Sequence, residues 1–238
     1  MTAPGMFGVA SPEFHHREPP EIRFPGIRLD LANLLQQEQE LIVHRGLPAS
    51  GSAWLQGSVV GIEDRGDAAV LVQRTVLVDV VGNAVVSGIS RIHARGEGNG
   101  GRGPGPSGMA PVPNRPPDSV TVTPTSPDQA VLYQRCCDGH SLTGNVHTDT
   151  DFATAAGLPG PILQGACTYG MVCAAVVDTF LGEDATRVLR YSARFLGVVF
   201  AGEVLRTRVW AENKQLVFVT HVPSRVAKPV LSGTVTTD

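Results

Sequence analysis

The sequence has no run of Lys or Arg, no CxxC pair and no uninterrupted apolar stretch long enough to cross a bilayer. Each absence removes a class of function. With a net charge of −3 and a pI near 6.2, nothing offers the basic footprint that nucleic acid requires. Without a long apolar run, a membrane-spanning helix is not expected. The four cysteines (Cys136, Cys137, Cys167 and Cys173) all lie in the second half and two are adjacent, so neither a metal knuckle nor a disulfide framework is expected. A reduced, cytoplasmic protein is the simplest reading. Cys136 and Cys137 read as small core residues rather than nucleophiles. The first residues lack a basic start followed by an apolar block, so no secretory signal is expected. His15, His16, His44, His93 and His221 show no ligand-like spacing, and neither metal nor cofactor is expected.

What is present is a chain of 238 residues with 42% hydrophobic content, enough to bury a core. Residues 1–28 have no clear period and read as an irregular lead-in. Leu29–His44 begins with a helical-looking run and passes into a strand. Gly51–Asp64, Ala68–Val80 and Ala84–Ala94 are rich in Val, Ile, Leu and Thr. They are separated by Asp64-Arg65-Gly66-Asp67 and Gly82-Asn83, which predicts an antiparallel meander. Residues 95–118 are dominated by Gly and Pro and read as a linker that packs against nothing. The expected division is therefore a reduced N-terminal unit over 1–94, the linker over 95–118 and a C-terminal unit over 119–238.

The second half opens with a strand-like VTVTPTS. Asp128–Arg135 reads as a short helix, with Ser126 or Asp128 available as a cap. A polar loop follows over 136–150, then a short helical piece at Asp151–Ala156, with Asp149 as its cap. Pro161–Leu181 predicts the longest helix, apolar on every side and therefore buried. Arg187–Phe195, Glu203–Glu212, Gln215–Val222 and Val230–Thr237 read as strands. A buried helix wrapped by a long antiparallel sheet is the hotdog arrangement.

The polar loop and the start of the buried helix read YQRCCDGHSLTGNVHTDTDFATAAGLPGPILQGACTYG from Tyr133 to Gly170. This stretch resembles the MaoC-like family of R-specific enoyl-CoA hydratases and hydroxyacyl-thioester dehydratases. That family commonly shows Y-R-x-S-G-D-x-N-P-x-H-x-D, then F-A and A-G-x-P-x-P-I-L-H-G-x-C-T-Y-G. Phe152-Ala153 and Ala156 to Gly170 match the later part closely, and Ala193-Arg194-Phe195 through Thr207 matches a further segment. The first half resembles the family's substrate-side hotdog from about Leu29 onward. The resemblance implies an α+β double hotdog with a reduced N-terminal member that lacks much of its leading strand and central helix.

The resemblance also implies an acid-base site. Aligned from the right, Asp138 and His147 form the dyad, Asn145 is an orienter, and the loop holds four extra residues. Aligned without a gap, His140 takes the Asn position and Thr143 the His position. Gly165 would offer its backbone N–H to the thioester oxygen. Gln164 replaces a usual His and, with His140 and Tyr169, is a candidate substrate-binding residue, although Tyr169 also reads as core. The implied activity is reversible water addition to a 2-enoyl thioester carried on CoA or a carrier protein. Two alternatives stay open. One is a repurposed hotdog that cyclises a bulky hydrophobic polyketide, and the other is a non-catalytic subunit. A homodimer is expected, because exposed sheet edges pair.

Overall fold

The computed structural model describes residues 22–24, 27–29, 34–46, 50–100, 110–136, 142–225 and 228–238. Its first elements are β1 (Ile22–Phe24) and β2 (Ile27–Leu29), which pair antiparallel. The lead-in expected to be irregular thus contains a short strand. Next come β3 (Leu34–Val43), β4 (Ala53–Asp64), β5 (Ala68–Asp79) and β6 (Ala84–Arg95). The helical run expected at the start of Leu29–His44 is not found among the described residues: β2 ends at Leu29, and Leu34–Val43 is strand throughout. Gln36, Gln37, Glu38 and Gln39 favour helix weakly, but β3 is paired on both sides, with β6 and with β8 (Val188–Phe195). Two ladders of backbone bonds outweigh a few tenths of a kcal/mol of local preference per residue. Gln39 is 1% exposed, and its side-chain oxygen accepts from Ser90 Oγ at 2.5 Å and Gln36 Nε2 at 2.8 Å.

The hairpins fall where Gly and Asn punctuate the sequence. At the β5–β6 turn Gly82 has φ +93°, and Asp79 Oδ1 accepts from Asn83 N at 2.8 Å.

The second half contributes β7 (Ser119–Pro124), β9 (Val204–Glu212), β10 (Gln215–His221) and β11 (Pro229–Thr237). With β3–β6 and β8 they form a single antiparallel sheet of nine strands, in the order β4-β5-β6-β3-β8-β11-β10-β9-β7. The seam between halves is β3–β8, in register from Glu38↔Arg194 to Ile42↔Arg190. Side chains alternate across it. Leu41 and Tyr191 enter the core, while the other face carries ion pairs such as Arg190–Glu40 at 2.6 Å.

Three helices complete the described residues: α1 (Gln129–Cys136), α2 (Thr150–Ala155) and α3 (Gly165–Phe180). α1 begins with a reciprocal cap. Asp128 N donates to Ser126 Oγ at 3.2 Å and Ser126 N to Gln129 Oε1 at 3.4 Å. α3 buries Cys167, Tyr169, Val172, Cys173, Val176 and Val177 in the core that β8–β11 wrap. This is the double hotdog expected from the sequence, with no helix among the described residues of the N-terminal half.

The Pro-rich segment at 110–118 does pack, contrary to expectation. Ala110 lies on Trp210, Val217 and Val219, and Trp210 Nε1 donates to Arg115 O at 2.9 Å. Arg115 then bridges Asp118 and Glu212, so polar groups anchor a stretch that has little apolar surface of its own. Cys136 is the last residue of α1 and is exposed there rather than in the core. Cys137 lies outside the described residues, while Cys167 and Cys173 are buried.

Candidate active site

The loop that precedes α2 is built around Asn145. Its Oδ1 accepts from the backbone N–H groups of His147 at 2.9 Å and Thr148 at 3.1 Å, closing a tight turn. Thr148 Oγ1 donates to Leu142 O at 2.7 Å, which ties the two arms of the loop together. Asp149 ends the loop and caps α2, accepting from Phe152 N at 3.1 Å and Gly144 N at 2.8 Å. Those amides hold its carboxyl below the usual carboxylate range. The expected capping role of Asp149 is therefore met in the structure.

The loop grips the chain just before α3. Ile162 N donates to Val146 O at 3.0 Å, and the His147 ring meets Ile162 O through Nδ1 at 3.0 Å. A carbonyl oxygen only accepts, so Nδ1 carries the proton and Nε2 keeps its lone pair. Burial pushes the imidazole below its ordinary 6.5, and the Ile162 carbonyl opposes that shift. The neutral ring held in this way carries its proton on Nδ1 and none on Nε2.

The longest helix starts four residues later than Pro161 suggests. Ile162 forms a β-bridge with Phe200, and Leu163 N donates to Val199 O at 2.7 Å. These bonds hold 162–163 extended, so the helix begins at Gly165, with Gln164 as its N-cap residue. The first amides of a helix have no intrahelical acceptor and carry roughly half a positive charge. A Cβ on Gly165 would sit 3.1 Å from Cε1 of Phe195. Any larger residue at this position would have to move the Phe195 ring by a few tenths of an ångström.

Gln164 is 8% exposed. Its Nε2 donates to Ala130 O at 3.2 Å and to Gln134 Oε1 at 2.9 Å, anchoring α1 to the mouth of α3. Its Oε1 has no hydrogen-bond partner among the described residues. Tyr169 stands apart from the mouth. It is 1% exposed, its hydroxyl donates to Tyr191 O at 2.8 Å, and Tyr191 returns the bond to Tyr169 O at 2.9 Å. Burial raises both phenols well above their ordinary range. Of the two readings of Tyr169, the structure places it in the core.

His147, Asn145, Gln164 and Gly165 are thus brought to one place by backbone bonds through Ile162. Asp138 and His140 lie outside the described residues. α1 nevertheless delivers the chain to within two residues of Asp138, from a helix bonded to Gln164. Sequence reasoning missed Ile162, Ala130 and Gln134. Ile162 and Ala130 act through main-chain carbonyls, which leave no mark in the residue pattern.

Known proteins share the sequence and the fold of this chain. The profile of the MaoC like domain matches residues 109–233. Over 227 residues the chain is 42% identical to enoyl-CoA hydratase ChsH3 of Mycobacterium tuberculosis, covering 95% of this chain and 78% of that one. It is 34% identical over 220 residues to the peroxisomal enoyl-CoA hydratase 2 of Arabidopsis thaliana, covering 88% and 70%. The crystal structure of a MaoC-like dehydratase from Phytophthora capsici superposes with a TM-score of 0.77 at 29% identity, over 88% of this chain and 70% of that one. With the MaoC like profile matching more than half of the chain and a relative 42% identical over 95% of it, the chain belongs to the MaoC-like dehydratase family.

Proposed function

We propose that this chain is a hydro-lyase that adds water reversibly across the double bond of a 2-enoyl thioester. The observation that carries the reading is the His147 imidazole, held as the Nδ1–H tautomer by Ile162 O beside the start of α3. In the hydration direction Nε2 of His147 takes a proton from water as the oxygen bonds to the β carbon. Asp138, entering as the neutral acid, gives its proton to the α carbon, and passage of the proton from His147 to the Asp138 carboxylate restores the pair. Electron density moves onto the thioester oxygen, which the Gly165 N–H receives. Such a donor typically contributes about 3–4 kcal/mol to the barrier. Asn145 fixes the turn that aims His147, and Gln164 sets the angle between α1 and α3.

The relatives' names favour CoA as the carrier. They lend nothing to the cyclising or non-catalytic readings. The free edge strand β4, twelve residues long with Trp54 exposed, supports pairing of two copies. Cys136 and Cys173, which form no disulfide among the described residues, support a reduced, cytoplasmic setting, although the plant relative is named as peroxisomal. The test is a hydration assay on short and long trans-2-enoyl-CoA, following loss of the conjugated absorbance. Turnover that disappears in His147→Ala supports the reading, and turnover that survives it removes His147 from the chemistry.

A further inference from the structure

The turn between β8 and β9 is bonded both to the segment just before α3 and to the segment just before α1. It spans Val198 to Glu203 and has Gly202 at φ +87°. Toward α3, Val199 O accepts from Leu163 N at 2.7 Å and Phe200 bridges Ile162. Toward α1, Gly202 N donates to Ser126 O at 3.1 Å, and Thr125 donates to Glu203 O through N at 3.0 Å and Oγ1 at 2.8 Å. Ser126 in turn caps α1, which holds Gln164. Two chains of contact therefore leave one turn. The first reaches His147 through Ile162, and the second reaches the residue before Gly165 through α1.

Arg225, from the connection after β10, holds this turn in shape. Its Nε lies 2.8 Å from Glu203 Oε1, and its NH2 donates to Glu203 Oε2 at 2.9 Å and to Val198 O at 2.6 Å. Glu203 Oε2 also accepts from Phe200 N at 2.8 Å. The guanidinium lies 5.3 Å from the centroid of the Phe200 ring. A partly exposed ion pair adds little stability alone. Here the fork is bidentate and fixes the main chain at both Val198 and Phe200, a geometry that a point-charge lysine reproduces only in part. Stability alone does not call for this arrangement, because the turn joins two strands already locked into the sheet.

We propose that Arg225 and Glu203 are positioning residues that set the Ile162 carbonyl, and through it the tautomer and aim of His147. The inference rests on the reading of His147 as the base. With the fork intact, Phe200 and Val199 present a rigid edge to Ile162 and Leu163, and Ile162 O stays within reach of Nδ1. With the fork removed, that edge loosens, Nδ1 loses its acceptor, and the proton redistributes to Nε2, the nitrogen that must be bare to act.

The test reads the ring directly. Long-range ¹H–¹⁵N spectra of the full chain show which imidazole nitrogen carries the proton, and His147→Ala identifies the resonance. The wild-type protein shows the Nδ1–H form. Arg225→Ala and Glu203→Gln shift His147 toward Nε2–H and lower kcat roughly ten-fold with KM changed less than about two-fold. Arg225→Lys restores part of both. Arg187→Ala, which breaks the exposed pair with Asp238, changes neither. If Arg225→Ala does not fold, Glu203→Gln and Arg225→Lys carry the reading. A folded variant in which His147 keeps its wild-type tautomer overturns the proposal, even if kcat falls. The spectra need no substrate, so absent hydration by wild-type protein would count against the proposed function and leave this test standing.

Discussion

The two halves of the nine-stranded sheet share one hydrogen-bonded seam and differ in what covers them. In the C-terminal half, β8–β11 close over α3, and Val176, Leu205, Val209, Phe218, Leu231 and Val235 are fully buried. In the N-terminal half no helix lies among the described residues, and β4 leaves Trp54 at 71% and Val60 at 54% exposed. The contrast shows that α3 has two tasks. It fills the core, and the histidine loop is bonded through Ile162 to the chain just before its N-terminus. The described residues of the N-terminal half extend the sheet but offer no helix start of this kind.

That comparison can be broken or sharpened by substitution. The largest effect is expected from His147→Ala, which should cut hydration roughly 10²–10⁴-fold with the fold intact, as read by initial rates and by circular dichroism. A loss below about five-fold would mean that another group is the base. Gly165→Ala comes next. Its Cβ would press on Phe195 at 3.1 Å and displace either the ring or the helix start. A fall in kcat of roughly ten- to hundred-fold is expected, with KM nearly unchanged.

The core behind the mouth should respond in stability rather than activity. Tyr169→Phe removes the hydroxyl that donates to the buried Tyr191 carbonyl and should cost about 0.5–1.5 kcal/mol in denaturant unfolding. An activity loss far beyond that loss of folded protein would return Tyr169 to the binding site. The smallest effect is expected from Val81→Thr in the exposed β5–β6 turn, within about 0.5 kcal/mol and with no change in rate.

Acidity gives an independent check on the same comparison. Burial holds His147 below 6.5 in the folded chain, so between that lowered value and 6.5 the unfolded chain binds more protons. Its contribution to stability is complete above about 6.5 and is lost as pH falls through the unfolded and then the folded value. The acid limb of kcat/KM should accordingly lie below 6.5 in wild-type protein. A limb above 6.5 would mean that His147 is not the neutral base described.

Much of this was legible in the sequence, for physical reasons. The meander β4–β6 announced itself through β-branched runs broken by Gly82-Asn83, and α3 through an apolar run with no polar face. β3 was misread at its start because Gln and Glu say little about a strand whose neighbours lie far along the chain, at Arg91 and Arg194. The start of α3 was placed at Pro161 because proline suits a first turn. What moves it to Gly165 is long-range pairing with Val199 and Phe200. The site was half legible. His147, Asn145 and Gly165 came from the resemblance and converge in space, whereas the Ile162 carbonyl that joins them has no side-chain signature.

The measurement that bears most directly on the central claim is the rate of hydration of a trans-2-enoyl-CoA by wild-type protein and by His147→Ala, side by side. The account predicts steady loss of the conjugated absorbance with the first and at least a hundred-fold slower loss with the second. Equal rates, or no turnover by folded wild-type protein on short and long acyl chains alike, would contradict it.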